Sequence, residues 1–198
     1  MKNIILIVIT VISFTVISIP VSAQNYTTTY NDIRFTKNEV LPTFTVYTEN
    51  TFKKDSKVGY NMFVLVTKDW AEAYPGVFYK MSVNDVIGVA VGLETTAPYY
   101  RFAGSYLHFG DTKGMFFNRL LIKSFIEVGG GKSNYWYHVS IDYQTKDWRI
   151  GPMSRRFYGT GLRIEYQKDH TKFMLGGASL YDTEIGEWKP TIFIGWNF

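Results

Sequence analysis

The sequence predicts an all-β fold, a single antiparallel up-and-down β-barrel of about eight to ten strands. Three observations predict it. From about residue 40 onward apolar and polar residues alternate with a period of two, and no stretch carries a helical period. Aromatic residues make up 18% of the 198-residue chain, mostly Tyr and Phe, which favour strands. Turn-forming residues recur at short spacings, so consecutive strands are joined locally.

The first 23 residues read as an export signal. Lys2 precedes an apolar run from Ile4 to Ile19, Pro20 breaks it, and Val21-Ser22-Ala23 places small residues before a cleavage site at Gln24. A retained anchor is the rival reading, because the run approaches spanning length, but Pro20 and the small-residue site argue against it. No Cys follows the site, so no lipoprotein anchor is available. Residues 24–39, including "NYTTTYNDIRF", are an N-terminal segment or a first strand. Residues 40–198 form the barrel domain, with candidate strands at 40–50, 57–69, 84–95, 98–109, 115–128, 133–145, 156–167, 171–182 and 188–198. Turn chemistry separates them at Lys54-Asp55-Ser56, Thr96-Ala97-Pro98, Gly110 to Gly114, Gly129 to Ser133 and Lys168-Asp169-His170. One connection is longer, Trp70 to Asp85, and "DWRIGPMSRR" either extends the next strand or forms a loop. The chain shows no repeat and no low-complexity linker.

Alternation alone does not say which face is inside. In "DVIGVAVGLET", Ile87, Val89, Val91 and Leu93 oppose Gly88, Ala90, Gly92 and Glu94. In "YWYHVSIDYQ", Tyr135, Tyr137, Val139, Ile141 and Tyr143 oppose Trp136, His138, Ser140, Asp142 and Gln144. The polar parity is rich in small residues, which suit a crowded lumen and weaken a solvated strand. The apolar parity places Tyr135, Tyr143, Tyr166 and Trp196 near strand ends, as a membrane belt requires. Strands of about ten residues fit a tilted crossing of the hydrocarbon layer. The barrel is therefore read as transmembrane, with lipid outside and a polar lumen. The alternative is a soluble, lipocalin-like periplasmic or secreted binder whose apolar parity lines a ligand pocket.

The last ten residues, "KPTIFIGWNF", carry Ile192, Ile194, Trp196 and Phe198 on one parity. This segment resembles the closing strand of small bacterial outer-membrane β-barrel proteins. The resemblance implies an even strand number, residence in the bacterial outer membrane, outer-membrane lipid as surroundings, and recognition of those four residues by the barrel-assembly machinery. Pro190 departs from a clean ladder but sits near the strand start. Counting back from a periplasmic terminus places residues 70–85 outside the cell as the longest external loop.

The predicted lumen carries Glu94, Arg119, Lys123, Glu127, His138, Asp142, Arg163 and Glu165. Buried charges of both signs must pair, so the lumen is a salt-bridged plug or a small pore whose charges tune passage. Adhesive and structural roles remain open beside the pore. An enzyme acting on outer-membrane lipid is a third reading, resting on His138 with Ser140 or His108 with Ser105, and neither pair has an evident third group. In "WAEAYPG", Trp70 and Tyr74 read as belt residues. Cysteine is absent and the three His have no metal-ligand spacing, so no metal or cofactor is expected. The net charge of +4 is scattered among acids, which excludes a nucleic-acid stripe.

Overall fold

The computed structural model describes residues 26–95, 100–111, 119–130, 134–168 and 172–197. The expected signal segment with its cleavage before Gln24, Phe198, and the turn residues Thr96-Ala97-Pro98, Thr112 to Gly114, Gly131 to Ser133 and Asp169-His170 lie outside them. The strands are β1 (Tyr26–Phe35), β2 (Val40–Thr51), β3 (Val58–Thr67), β4 (Ala71–Lys80), β5 (Asp85–Glu94) and β6 (Tyr100–Asp111). They continue as β7 (Arg119–Gly129), β8 (Tyr135–Gln144), β9 (Trp148–Arg155), β10 (Gly159–Tyr166), β11 (Phe173–Asp182) and β12 (Glu187–Asn197). Each pairs antiparallel with its sequence neighbours. β1 closes the barrel on β12, from Thr28 opposite Asn197 to Arg34 opposite Thr191. No helix occurs among the described residues.

The fold class is as expected, but the strand number is 12 rather than eight to ten. Three strands beside the nine candidates complete the twelve. β1 is a barrel strand, paired on both sides. β4 runs through the stretch expected to be a long external loop, and β9 through the segment expected to be a loop or an extension. Both interrupted strands contain a proline. The β4–β5 ladder lacks pairs at Tyr74 and Pro75, and the β8–β9 ladder lacks them at Gly151 and Pro152. A residue without an N–H cannot donate on one side, so the ladder opens there while the other side stays paired.

The sequence reads as free of repeats, but one tetrapeptide does recur, and it marks both strands. Thr67-Lys68-Asp69-Trp70 precedes β4 and Thr145-Lys146-Asp147-Trp148 leads into β9. The two tetrapeptides make the same turn. The threonine N–H donates to the tryptophan carbonyl at 2.8 Å in each. The tryptophan N–H donates to the threonine Oγ1 at 3.1 and 3.0 Å.

The even strand number puts both ends of the barrel wall, Tyr26 and Asn197, at one rim, here the near rim. The other is the far rim. Along β5 the outward residues Val89, Val91 and Leu93 are 64%, 57% and 68% exposed, whereas Gly88, Gly92 and Glu94 are buried. Exposed apolar residues continue around the wall through Val77, Ile126, Leu162, Ile164, Leu175, Ile192 and Ile194. Two rings of exposed aromatics flank this band. Tyr60, Tyr79, Tyr143, Trp148, Phe173 and Trp196 lie toward the near rim, and Tyr100, Tyr135, Phe157, Tyr181 and Trp188 toward the far rim. Several touch their neighbours: Phe173 and Trp196 centroids are 6.2 Å apart, and Tyr181 and Trp188 are 5.2 Å apart.

Small inward residues make room for large ones on the next strand. A Cβ on Gly92 would run into the Tyr74 ring, and one on Gly161 into the carbonyl oxygen of Ser179. A side-chain ring can turn away, but a backbone carbonyl in a ladder cannot. Gly161→Ala is therefore expected to destabilise the folded barrel by about 1–3 kcal/mol, the usual cost of overpacking. Gly104 faces open space. Gly104→Ala is the control, and chemical unfolding in detergent micelles compares the two.

Candidate functional site: the lumen and its far-rim vestibule

The inward parity builds a charged interior in two unequal parts. On the wall from β4 to β7, three carboxylates surround one guanidinium. Arg101 on β6 reaches Glu94 at 3.1 Å and Glu127 at 3.3 Å. Tyr74 on β4 donates its hydroxyl toward Glu72 at 3.1 Å and Glu127 at 2.8 Å, so one proton serves two acceptors. Trp70 donates its indole N–H to Glu94 at 3.0 Å. Trp70 and Tyr74 are thus not belt residues: Tyr74 is 1% exposed inside the lumen, and the Trp70 indole is turned to a lumen carboxylate. β4 presents its even-numbered residues inward, which no reading of this stretch as a loop reveals.

The opposite wall is richer in cations. Arg163 on β10 pairs with Asp142 on β8, with Glu165 at 3.9 Å. Arg149 on β9 pairs with Glu165 at 2.9 Å. Arg155 on β9 reaches Asp32 on β1 at 2.8 Å, and Tyr158 donates to the other Asp32 oxygen at 2.9 Å. Toward the far rim, Lys189 on β12 pairs with Asp182 on β11 and also donates to the Phe157 carbonyl at 2.8 Å.

Two sets of contacts cross the lumen. Phe63 on β3 and Phe125 on β7, four places apart around the barrel, have ring centroids 5.4 Å apart. Asp32 on β1 and Arg155 on β9 are also four places apart. The first crossing narrows the middle of the barrel and the second lies in its far-rim half. A separate apolar cluster of Met153, Tyr158, Leu180 and Phe193 fills the β9–β12 side, with Tyr30 stacked on Phe193 at 5.4 Å.

Of the residues expected in the lumen, Glu94, Glu127, Asp142, Arg163 and Glu165 are buried there. Lys123 and His138 are half-buried on the inward parity of β7 and β8. Arg119 begins β7 at the near rim, half exposed, 3.6 Å from Asp111. Tyr135, Tyr143 and Trp196 are exposed on the outer wall, and Tyr166 is half-buried against the Trp148 ring at 4.8 Å. Ile192 and Ile194 are exposed on the same outer parity of β12. The expected set lacks Asp32, Glu72, Tyr74, Arg101, Arg155 and Tyr158. Most of these stand on β1, which the sequence leaves open between a segment and a first strand, on β4, which reads as a loop, and on β9 and its turn into β10, where residues 147–156 read as a loop or an extension.

The proposed catalytic pairs do not form. Ser140 donates to Asp142 at 3.3 Å rather than to His138, whose Nε2 has no partner. His108 lies 2.8 Å from Asp85 on the parity opposite Ser105. The reading of an apolar ligand pocket fails as well, because the apolar parity faces outward and the inner face carries the charges.

At the far rim the lumen opens into a vestibule of about 670 Å³. Five cationic side chains and three acidic ones line it. Aromatic rings hold the guanidiniums: Arg34 and Arg155 both lie over the Tyr158 ring, 4.1 and 3.9 Å from its centroid, and Arg156 lies over Tyr135 at 3.7 Å.

No protein-family model matches this chain, and no curated protein matches it. Among solved structures, it is similar to the porin of Rh. blastica. A mutant of that porin carrying five substitutions aligns with a TM-score of 0.37 at 8% identity, covering 89% of this chain and 100% of that one. A triple mutant aligns with a TM-score of 0.37 at 7% identity over the same shares. At this distance the likeness carries no argument about pore or solute.

Proposed function

We propose that the chain is a bacterial outer-membrane β-barrel of the narrow-pore type, delivered by a signal peptide cleaved before Gln24. One observation carries the membrane part: an exposed apolar band over most of the wall, flanked by two aromatic rings, around a closed barrel with a charged interior. Closure leaves no unpaired strand edge, as a hydrocarbon environment demands. The pore part rests on the charged lumen and its open vestibule. A sealed barrel is the second reading, favoured by the contacts that cross the lumen. Recognition of β12 by the assembly machinery, through Ile192, Ile194, Trp196 and Phe198, belongs to the same proposal.

The test begins with fractionation. The expressed protein is expected to sediment with outer membrane and to change gel mobility on boiling. A protein soluble in the periplasm with no heat shift ends the proposal. Planar-bilayer recording then separates pore from sealed barrel. Small discrete steps are expected, and Phe125→Ala is expected to enlarge them, because it removes one half of the Phe63–Phe125 crossing. A folded, heat-modifiable barrel silent in both forms is a sealed one.

A further inference from the structure

We infer that the far-rim vestibule is a binding site for small oxyanions, carboxylate or phosphate, centred on Arg34. This rests on the barrel being folded as described and deepens the pore reading by naming a solute class.

Arg34 stands on the inward parity of β1, and no carboxylate pairs with it among the described residues. Its Nη1 donates to the Phe157 carbonyl at 2.7 Å, and its Nε has no hydrogen-bond partner. The ring of Tyr158 lies under the guanidinium at 4.1 Å. The Tyr158 hydroxyl is itself held by Asp32 and Thr43, the latter at 3.0 Å, so the platform is fixed. Beside it Arg155 is 5% exposed, lines the same cavity, and also has an Nε without a partner. Asp32 satisfies Arg155 at Nη1 only.

A buried donor without an acceptor costs about 1–3 kcal/mol, more when charged. Both Nε atoms are sealed from solvent, so what faces the cavity is a pair of neighbouring cations. Arg34, with no carboxylate partner among the described residues, and Arg155 line one opening, where an incoming oxyanion completes their pairing. Guanidinium suits this task, because its planar fork matches carboxylate and phosphate oxygens. The aromatic contacts fix the forks before the ligand arrives, which lowers the ordering cost of binding. Recognition therefore selects charge and oxygen geometry. Arginines lie over the Tyr158, Trp136, Tyr135 and Phe157 rings, so the aromatic surface of the vestibule is largely taken up in holding cations.

The experiment uses the full barrel folded in detergent, verified by its heat shift, titrated calorimetrically with citrate, with inorganic phosphate and with glucose. Saturable binding of citrate, phosphate or both is expected in a chloride buffer, with none for glucose. The two anions tell which oxyanion geometry the site takes. Arg34→Gln is expected to weaken binding about tenfold, the value of one charge-assisted hydrogen bond, while the heat shift is unchanged. A folded wild-type barrel that binds neither anion, or an Arg34→Gln variant that binds as well as wild type, overturns the inference. Conductance is read separately. Steps without anion binding leave the pore and remove this site, and binding without steps leaves the site in a sealed barrel.

Discussion

Replacing Arg163 by Met is expected to lower the stability of the folded barrel by about 3–5 kcal/mol, the usual result of leaving a buried charge without its partner. Arg163 is 2% exposed and Asp142 is fully buried opposite it. Without the guanidinium, Asp142 keeps only the Ser140 hydroxyl, at 3.3 Å, among the described residues. Glu165 suffers less, since Arg149 still reaches it at 2.9 Å. The two effects separate in a double variant. Arg163→Met with Asp142→Asn removes both charges and is expected to recover most of the loss, because removing a buried pair together is often nearly neutral. Chemical unfolding in micelles gives the values. A single-variant loss below about 1 kcal/mol, the range of exposed pairs, means that water already screens this part of the lumen.

The next residue along the strand carries the opposite expectation. Ile164 pairs with Gly177 and Ile150 in the middle of the wall and is 45% exposed on the outer face. Ile164→Arg is expected to cost about 2–4 kcal/mol when the barrel folds into lipid vesicles, the depth-dependent price of a cation at the bilayer midplane. On a surface facing water the same change is worth within about 0.5 kcal/mol. Folding yield and unfolding midpoint in vesicles of fixed composition measure it. A variant that folds as well as wild type contradicts a lipid-facing β10.

These neighbours show what the sequence makes legible. Where a strand alternates without interruption, as in Gly88 to Glu94 or Gly161 to Glu165, the period of two assigns both faces correctly, because one slipped residue would turn every side chain over. Closure and polarity of the interior follow from such strands. The period fails at Pro75-Gly76 and Gly151-Pro152, where the usual signs of a turn lie inside β4 and β9. The ladder tolerates them by opening on one side only. The duplicated Thr-Lys-Asp-Trp turn before each strand is the local signal that locates them. Partners across the lumen are a different matter. Arg155 and Asp32 are 123 residues apart, and Phe63 and Phe125 lie on strands four places apart. Such pairs depend on the number of strands and their stagger, so an error in strand number hides them.

The connections between strands have a further consequence. Among the described residues, those at the far rim comprise 36–39, 68–70, 156–158 and 183–186, three to four residues each. If the C-terminus is periplasmic, as the resemblance of the last strand implies, that rim faces the medium. Hairpins this short give proteases, phages and antibodies little to grip. An epitope tag spliced into residues 183–186, where the hairpin is exposed, would report the sidedness of this rim on intact cells.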